Sequence, residues 1–550
     1  MVTLTSEQII EKILENRGIS KESAAAFLNP DYENQHDPFL LPDMEQAVER
    51  LLRAHKNQEK ITIYGDYDVD GVSASTIILD SFEKFGFENV DYFLPDRFKD
   101  GYGMNECGVK ELAERGTNLI LTVDCGSLNH AEIDFAKGFG IDTIVTDHHN
   151  IAENQPNAVA VVNPRRPENK YPQAEKFAGV GVAFKLIQAL QTRLEGLPKG
   201  QEKWLLDMVA LGTVCDVMEQ TIENRQNTFW GLKVLEKTRR AGLKSMLAYA
   251  GISNISSSTL GFVLGPRINS AGRLESAEIA LDLMLESDPF LALEKAKNLD
   301  ELNKKRRKVQ SEALEIAIKK AEEFSNDKVL VVADESFNDG IIGIVASGLL
   351  EKFKKPVFVI SIEGEVAKGS ARSFGGFSAS QAVEKAREII IKGGGHDAAA
   401  GVTLPTEKIA EFRKIANDFY EELGLKPEQE ILELLPKSDI LLEDFSPINL
   451  ELFEKIAKFE PFGKGNEEPI FEIRGAKVLA RQEMGDQKQH IKLTLTDGER
   501  EIKMLKFNAP PEFFAEIGEE IDAFFSLGLN EWQGRRSVEG QILHLERKRL

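Results

Sequence analysis

The stretch YGDYDVDGVSAS places Asp66, Asp68 and Asp70 on alternate residues, directly after the apolar run ITI and before Gly71. Crowded like charges repel, so such a triplet is either a solvated turn or a cradle for a cation. Two further acidic sites end apolar runs: Asp124 closes LILTVD, and Asp147-His148-His149 closes TIVTD. Oxygen-rich donors with one or two imidazoles suit Mn²⁺ or Mg²⁺ better than zinc, which favours thiolate or more histidine. The three cysteines, Cys107, Cys125 and Cys215, form no C-x-x-C pair, so neither a zinc site nor a disulfide framework is indicated. Two divalent ions about 3.5–4 Å apart can activate a water and steady the leaving oxygen of a phosphoester.

These acids need elements that bring them together. KITIYG (60–65), VDYFLP (90–95), LILTVD (119–124), TIVTD (143–147) and AVAVVNP (158–164) are short, β-branched runs, most of them separated by helical patterns. That alternation predicts a parallel α/β sheet, whose ligands bind outside the carboxyl ends of the strands, where all three acidic sets fall. Residues 200–325 read as mostly helical, and 293–324 as a long charged connector without Gly or Pro. A second α/β unit begins at KVLVVAD (328–334), continues through PVFVIS (356–361) and runs to about residue 430. After Pro436, five alternating strands in about a hundred residues predict a small β-barrel of the oligonucleotide-binding kind.

With 550 residues, 42% of them hydrophobic and 29% charged, the chain can bury a large core spread over three or four domains. The N-terminus has no apolar signal-like segment and no stretch reaches the roughly 18 apolar residues of a membrane span, which predicts a cytoplasmic protein without membrane contact. A net charge of −22 requires any phosphate-binding surface to be local. The absence of a G-x-x-x-x-G-K-[ST] run argues against an ATP-driven motor.

GDYDVDG, TVDCG, TDHHN and LGTVCDVM resemble the four motifs of the DHH phosphoesterase superfamily, and VVNPRR with YPQAEKFAGVGVAFKL resembles its RecJ branch. The likeness continues through GPRINSAGRLE, GIIGIVAS, KGSARS, GGGHDAAAG and EPFGKGNEEPIF, nearly the whole chain. It implies a DHH catalytic domain with an N-terminal extension at 1–290 and a connector helix at 291–326. A DHHA1-type substrate-binding domain at 327–435 and an OB-fold-like single-strand-binding domain at 436–550 complete the implied order. The implied activity is metal-dependent 5′-to-3′ hydrolysis of single-stranded DNA to mononucleotides in repair and recombination.

The same resemblance implies that Asp66, Asp68, Asp70, Asp124, His148 and Asp216 hold two Mn²⁺ or Mg²⁺ ions, with Asp124 bridging. His149 is then a stabiliser or proton donor at the scissile phosphate, and Arg267, Asn269 and Arg273 of GPRINSAGR complete the catalytic set. Arg372 and Ser373 of KGSARS, and Gly394, Gly395 and His396 of GGGH, are expected to hold the DNA backbone. Bare glycine N–H groups can approach a phosphate closely. In the barrel, Phe471, Phe507 and Trp532 are candidates to stack on bases, among cations at Arg481, Lys492, Lys503, Lys506, Arg535 and Arg536.

The chain departs from the RecJ pattern at Asn338, where Trp-His-x-Gly is usual, at Gly348 and at Asp397. Those departures concern substrate grip in the second domain and leave the metal motifs intact. Single-stranded DNA is the implied partner, with a single-strand-binding protein and a helicase as implied collaborators. The alternatives are a DHH phosphodiesterase acting on short oligoribonucleotides or cyclic dinucleotides, and a non-enzymatic replisome scaffold. The first usually lacks the barrel and N-terminal extension, and the second is expected to have lost ligands that this chain retains.

Overall fold

The computed structural model describes residues 4–97, 99, 101, 103–427, 431–432 and 434–547, the Trp532 side chain excepted. The chain divides into two compact units, one formed by residues 35–218 and 230–433, the other by 1–34, 219–229 and 434–550. No helix among the described residues is long and apolar enough to cross a membrane.

The larger unit opens with a five-stranded, all-parallel sheet in the order β2-β1-β3-β4-β5. Its strands are β1 (Ile61–Gly65), β2 (Val90–Phe93), β3 (Leu119–Val123), β4 (Asp142–Thr146) and β5 (Ala160–Val162), at the runs expected from sequence. β1 and β3 are buried along their whole length, as a central parallel strand covered on both faces must be. Helices at Val69–Phe85, Gly179–Gln191 and Leu206–Cys215 follow, and Gly265–Leu274 is preceded by a five-residue π-turn at Leu260–Leu264. The connector is one uninterrupted helix, Pro289–Glu323, started by the Asp288 side chain, which accepts from the Phe290 and Leu291 amides.

The second sheet is mixed, in the order β6-β7-β8-β10-β9, from β6 (Leu330–Asp334), β7 (Val357–Glu363), β8 (Val366–Arg372), β9 (Lys392–His396) and β10 (Ala399–Pro405). One face packs Val331, Phe358, Ala367, Ala371, Val402 and Leu404 against the helices Ala379–Lys385 and Ile409–Glu422. On the other face, Leu330, Val332, Val357 and Val359 of β6 and β7 are covered by the connector and by helix Ile342–Phe353. Along β8 and β10, buried residues alternate with partly exposed ones, so Lys368, Ser370, Arg372, Gly401 and Thr403 lie on a face left largely open.

The smaller unit is a closed barrel of β12 (Phe471–Met484), β13 (His490–Thr496), β14 (Glu501–Lys506), β15 (Glu520–Trp532) and β16 (Arg535–Arg547). A short β11 (Ile440–Leu442) pairs parallel to β12, and β12–β15 pairing closes the ring. The N-terminal segment joins this barrel: Ile9, Ile10, Ile13 and Leu14 of helix Ser6–Asn16 share its core with Leu452, Phe471, Val478 and Phe525. Arg225 is 2% exposed and donates to the carbonyls of Phe27, Lys458, Phe459 and Glu460. It thereby ties residues 219–229 to the same unit.

Candidate metal centre and nucleic-acid interface

The strand ends of the first sheet gather the acids. β1 ends at Gly65, and Asp66, Asp68 and Asp70 follow as the chain turns into helix Val69–Phe85. Asp68 caps that helix, accepting from the amides of Asp70 (2.8 Å) and Gly71 (3.2 Å). Asp70 accepts from the amides of Gly179 (2.5 Å) and Val180 (2.9 Å), at the N-terminus of another helix, where the dipole favours a carboxylate. The packing is close: a Cβ on Gly179 would lie 2.6 Å from Asp124, and one on Gly212 would lie 2.6 Å from Asp70 Oδ1. Asp124 itself sits at φ 63°, a left-handed conformation that few non-glycine residues adopt and that tends to mark functional sites.

Ligand-type atoms converge into three overlapping sets, each within 4.8 Å: Asp66/Asp68/Asp124, Asp70/His148/Asp216 and Asp124/His148/His149. His148 Nε2 lies 3.2 Å from Asp124, 3.5 Å from Asp216 and 3.8 Å from Asp70. Burial pushes the carboxyls up and their neighbours push them further, Asp70 to about 7 and Asp216 to about 8, while Asp66 and Asp124 stand well above the usual range. Burial also lowers His148 to about 3, so its imidazole is neutral, the form that ligates a metal. Asp70 and Asp216 form no ion pair with Lys or Arg among the described residues. Asp66 Oδ1 and His148 Nε2 are buried without a hydrogen-bond partner. A buried nest of carboxylates with unsatisfied donor atoms is the chemistry a divalent cation would complete.

Asp147, the first residue of the D-H-H triplet, is the clamp of its turn. It accepts from the amides of Ser127 (2.9 Å), His148 (2.7 Å) and His149 (3.1 Å), and its Oδ1 lies 2.9 Å from His149 Nδ1. Burial opposes a charged His149, but the Asp147 bond and the surrounding carboxylates outweigh it and raise His149 to about 9. Burial likewise disfavours the Asp147 carboxylate, yet the bond to His149 and the adjacent imidazoles hold it well below the usual range. His149 is 39% exposed and His148 6%, so one imidazole faces inward among the acids and the other lies at the opening. Asn163 donates to the His149 carbonyl (2.9 Å) and Arg165 to the His148 carbonyl (2.7 Å), fixing both.

Beside this centre, in the same unit, lies a cavity of about 640 Å³ whose lining includes five cations, Arg97, Arg273, Lys368, Arg372 and Lys392. Among the described residues its one lining carboxylate, Asp339, is paired with Lys368 at 2.8 Å. Arg97 lies over the Tyr67 ring, 4.1 Å from its centroid, and Tyr67 stands between Asp66 and Asp68. Arg273 donates to the Gly340 carbonyl at 2.9 Å; burial first, and then Arg97 and Arg306, lower it to about 10. The acidic chain therefore does concentrate positive charge locally, next to its carboxylates.

Across the open sheet face, residues paired by register form three rows: Arg372/Ala399/His396, Ser370/Gly401/Gly394 and Lys368/Thr403/Lys392. A floor of Ser370, Gly401 and Gly394 thus runs between two rows that carry cationic or imidazole side chains. A Cβ on Gly394 would meet nothing within 4 Å, and one on Gly343 would come within 3.1 Å of the Arg372 guanidinium. The glycines of GGGH are strand residues, so their contribution is a side-chain-free surface rather than a loop of free amides. A Cβ on Gly395 would lie 2.4 Å from the Ala399 carbonyl, so this glycine is required by its strand contact.

Other residues singled out from sequence have structural partners. Arg267 donates to Asp300 (2.9 Å) and to the Val263 carbonyl (2.8 Å), holding the π-turn and its helix to the connector. Asn269 accepts from the Val69 amide at 3.2 Å, fixing the start of the Asp68-capped helix. Ser373 is buried, and its hydroxyl donates to the Phe377 carbonyl. His396 is exposed on the edge strand β9. Of the departures, Asn338 accepts from Gly340, Asp397 accepts from Ser378, and Gly348 lies where a Cβ would meet Leu314 at 3.0 Å.

In the barrel Phe471 is 0% exposed and stacks in the core on Phe525, which removes it from the base-stacking candidates. Phe507 is 60% exposed beside His490. Arg481, Lys492 and Arg536 pair with Glu516, Glu539 and Glu454. The Trp532 side chain lies outside the described residues.

Residues 60–213 match the DHH family N-terminal domain, 326–422 the DHHA1 domain and 441–544 the RecJ OB domain. The chain is 37% identical over 545 residues to the single-stranded-DNA-specific exonuclease RecJ of Bacillus subtilis, covering 97% of this chain and 67% of that relative. It is 31% identical over 532 residues to the RecJ of Haemophilus influenzae, covering 93% and 92%. The chain belongs to the RecJ family. The crystal structure of RecJ in complex with Mn²⁺ from Thermus thermophilus superposes with a TM-score of 0.83 at 28% identity, covering 99% of this chain and 76% of that one. The RecJ order of a parallel-sheet domain, a DHHA1 domain and an OB domain is therefore the order found here.

Proposed function

We propose that this RecJ-family chain is a metal-dependent exonuclease that hydrolyses single-stranded DNA from the 5′ end to mononucleotides. The observation that carries the reading is the junction at Tyr67: a nest of buried carboxylates on one side and a cation-lined cavity on the other, linked through Arg97. Asp66, Asp68, Asp70, Asp124, His148 and Asp216 would hold two Mn²⁺ or Mg²⁺ ions, Asp124 and His148 each belonging to two of the three ligand sets. Bound there, the ions supply Lewis-acid activation of water and neutralise charge on the phosphate.

The chain's own residues do the rest. Arg97, Arg273, Arg372 and Lys392 bind and orient phosphates, and the guanidiniums can do so bidentately. His149, held protonated by Asp147, sits at the mouth of the site and can stabilise charge or donate a proton to the leaving oxygen. Arg267 and Asn269 act as positioning residues through Asp300 and Val69. The domain divisions near residues 290, 326 and 435, a cytoplasmic location, and collaboration with a single-strand-binding protein and a helicase belong to the same reading.

Product analysis on single-stranded and duplex DNA labelled at either end, with Mn²⁺ or Mg²⁺, tests it. The expected result is release of mononucleotides from 5′ ends of single strands, with duplex intact. Cleavage of short oligoribonucleotides while DNA survives would replace the substrate, and no cleavage with either metal would make the chain a scaffold.

A further inference from the structure

A second cavity, of about 330 Å³, opens in the larger unit away from the carboxylate cluster. It is lined by Asp80 and Lys84 from the far half of helix Val69–Phe85, Trp204 and Asp207, Arg239 and Arg240. Asp70, in the first turn of that helix, and Lys84 are separated by about 21 Å of helix at ~1.5 Å per residue, so this is a separate site.

Its acids are all committed. Asp80 pairs with Arg240, Asp207 accepts from the Thr238 hydroxyl (2.7 Å) and faces Arg240 (3.4 Å), and Glu286 at the rim pairs with Lys295 (2.8 Å). Its other two cations are not: neither Lys84 nor Arg239 has an ion-pair partner among the described residues. The Arg239 guanidinium lies 3.8 Å from the centroid of the Trp204 ring, a cation–π contact, and a guanidinium can itself stack on a planar group. In a chain of net charge −22, two uncommitted cations beside an indole in a depression form a recognition feature for an anion with a planar body. A volume near the lower end of the range for small-molecule pockets, about 300–1,000 Å³, fits one such molecule rather than a strand.

We infer that this cavity binds a nucleoside monophosphate, its base stacked on the Trp204–Arg239 pair and its phosphate held by Lys84 and Arg239. The choice of a mononucleotide as the planar anion rests on the function proposed above, since that reaction releases this class of product.

The test is a titration of the full chain with dAMP in EDTA, followed by calorimetry and by tryptophan fluorescence. The expected result is a saturable site that persists in Arg372→Ala, a change in the other cation-lined cavity. Affinity falls by about tenfold or more in Lys84→Ala/Arg239→Ala with an unchanged melting temperature, and the fluorescence change is lost in Trp204→Phe. Deoxyribose 5-phosphate, which lacks the base, binds at least about tenfold more weakly, and Asp66→Asn binds dAMP like the wild type. The inference is overturned if no saturable binding occurs in EDTA, if the double variant binds as well as wild type, if the base makes no difference, or if Asp66→Asn abolishes binding. The readout uses no hydrolysis. A chain that binds dAMP here but leaves single strands intact refutes the proposed function alone, and one that degrades DNA without binding refutes this site alone.

Discussion

The two α/β sheets of the larger unit gather opposite charges by opposite means. The first is all-parallel and covered on both faces, so chemistry is confined to its strand ends, where carboxylates following β1 and β3 and the imidazoles following β4 are forced together. The second is mixed and leaves β8, β10 and β9 open on one face, so it offers a surface on which cations flank a glycine floor. The first stores repulsion that a cation relieves; the second presents positive charge that an anion relieves. On the proposed function, reaction chemistry and substrate grip fall on two scaffolds, and variants in the two should fail in different ways.

The strongest break comes from the first sheet. Asp66→Asn keeps the shape of a buried acid and removes its charge, and turnover is expected to fall by about a thousandfold or more, roughly 4 kcal/mol at 1.36 kcal/mol per decade. Rates on labelled single strands, with circular dichroism to verify the fold, check this. Next, the metal-free protein should lose stability as pH rises. Asp70 near 7 and Asp216 near 8 bind protons in the folded chain that the unfolded chain, with ordinary carboxyls, has already released. Folded-state proton binding in excess gives a negative slope of stability with pH between about 4 and 8. Thermal melts in EDTA across that range should show it, and Mn²⁺ should restore stability at pH 8 by binding the folded state.

The second sheet should give smaller effects that fall on binding. Arg372→Ala is expected to raise KM about ten- to a hundredfold, from the loss of about 1.5–3 kcal/mol of charge-assisted hydrogen bonding, with kcat much less changed. Gly394→Val puts bulk on an open floor where a Cβ meets nothing, so the melting temperature should hold while single-strand affinity drops several-fold. Smallest of all, Phe507→Ala on the barrel should weaken long-strand binding by about twofold, less than the ~1–3 kcal/mol of a full base–aromatic stack, and leave short-strand hydrolysis unchanged. Comparison of long and short substrates checks it.

The asymmetry between the sheets also decides what could be read from sequence. Strand-end acids are local in the chain: a β-branched run followed by Asp is visible in one line, and parallel topology then gathers the runs. The cation-lined cavity is not local. Arg97, Arg273, Lys368, Arg372 and Lys392 come from distant segments, and only the order β8-β10-β9 sets Lys368 beside Thr403 and Lys392. Asp147 was legible as part of a triplet but not as its clamp, because a carboxylate that binds three amides has the same letter as one that binds a metal. Arg267 illustrates the converse, since a guanidinium fits Asp300 as well as it fits a phosphate. Phe471 belongs to the barrel as expected, but the sequence does not say that it opens a strand with its ring in the barrel core. Nor did the N-terminal helices announce that Ile9 and Ile13 complete the core of a barrel more than 400 residues away.

The separation of chemistry from grip is tested most directly by measuring, side by side, single-strand affinity and single-turnover rate for Asp124→Asn and Arg372→Ala. Fluorescence anisotropy on a labelled single strand gives the first, and quenched-flow product release gives the second. The expected result is a crossing pattern: Asp124→Asn binds DNA within about threefold of wild type and is inactive, while Arg372→Ala binds at least about tenfold more weakly and, at saturation, cleaves at a rate near wild type. If both variants lose binding and turnover together, the two sheets form one indivisible site and the division of labour is contradicted.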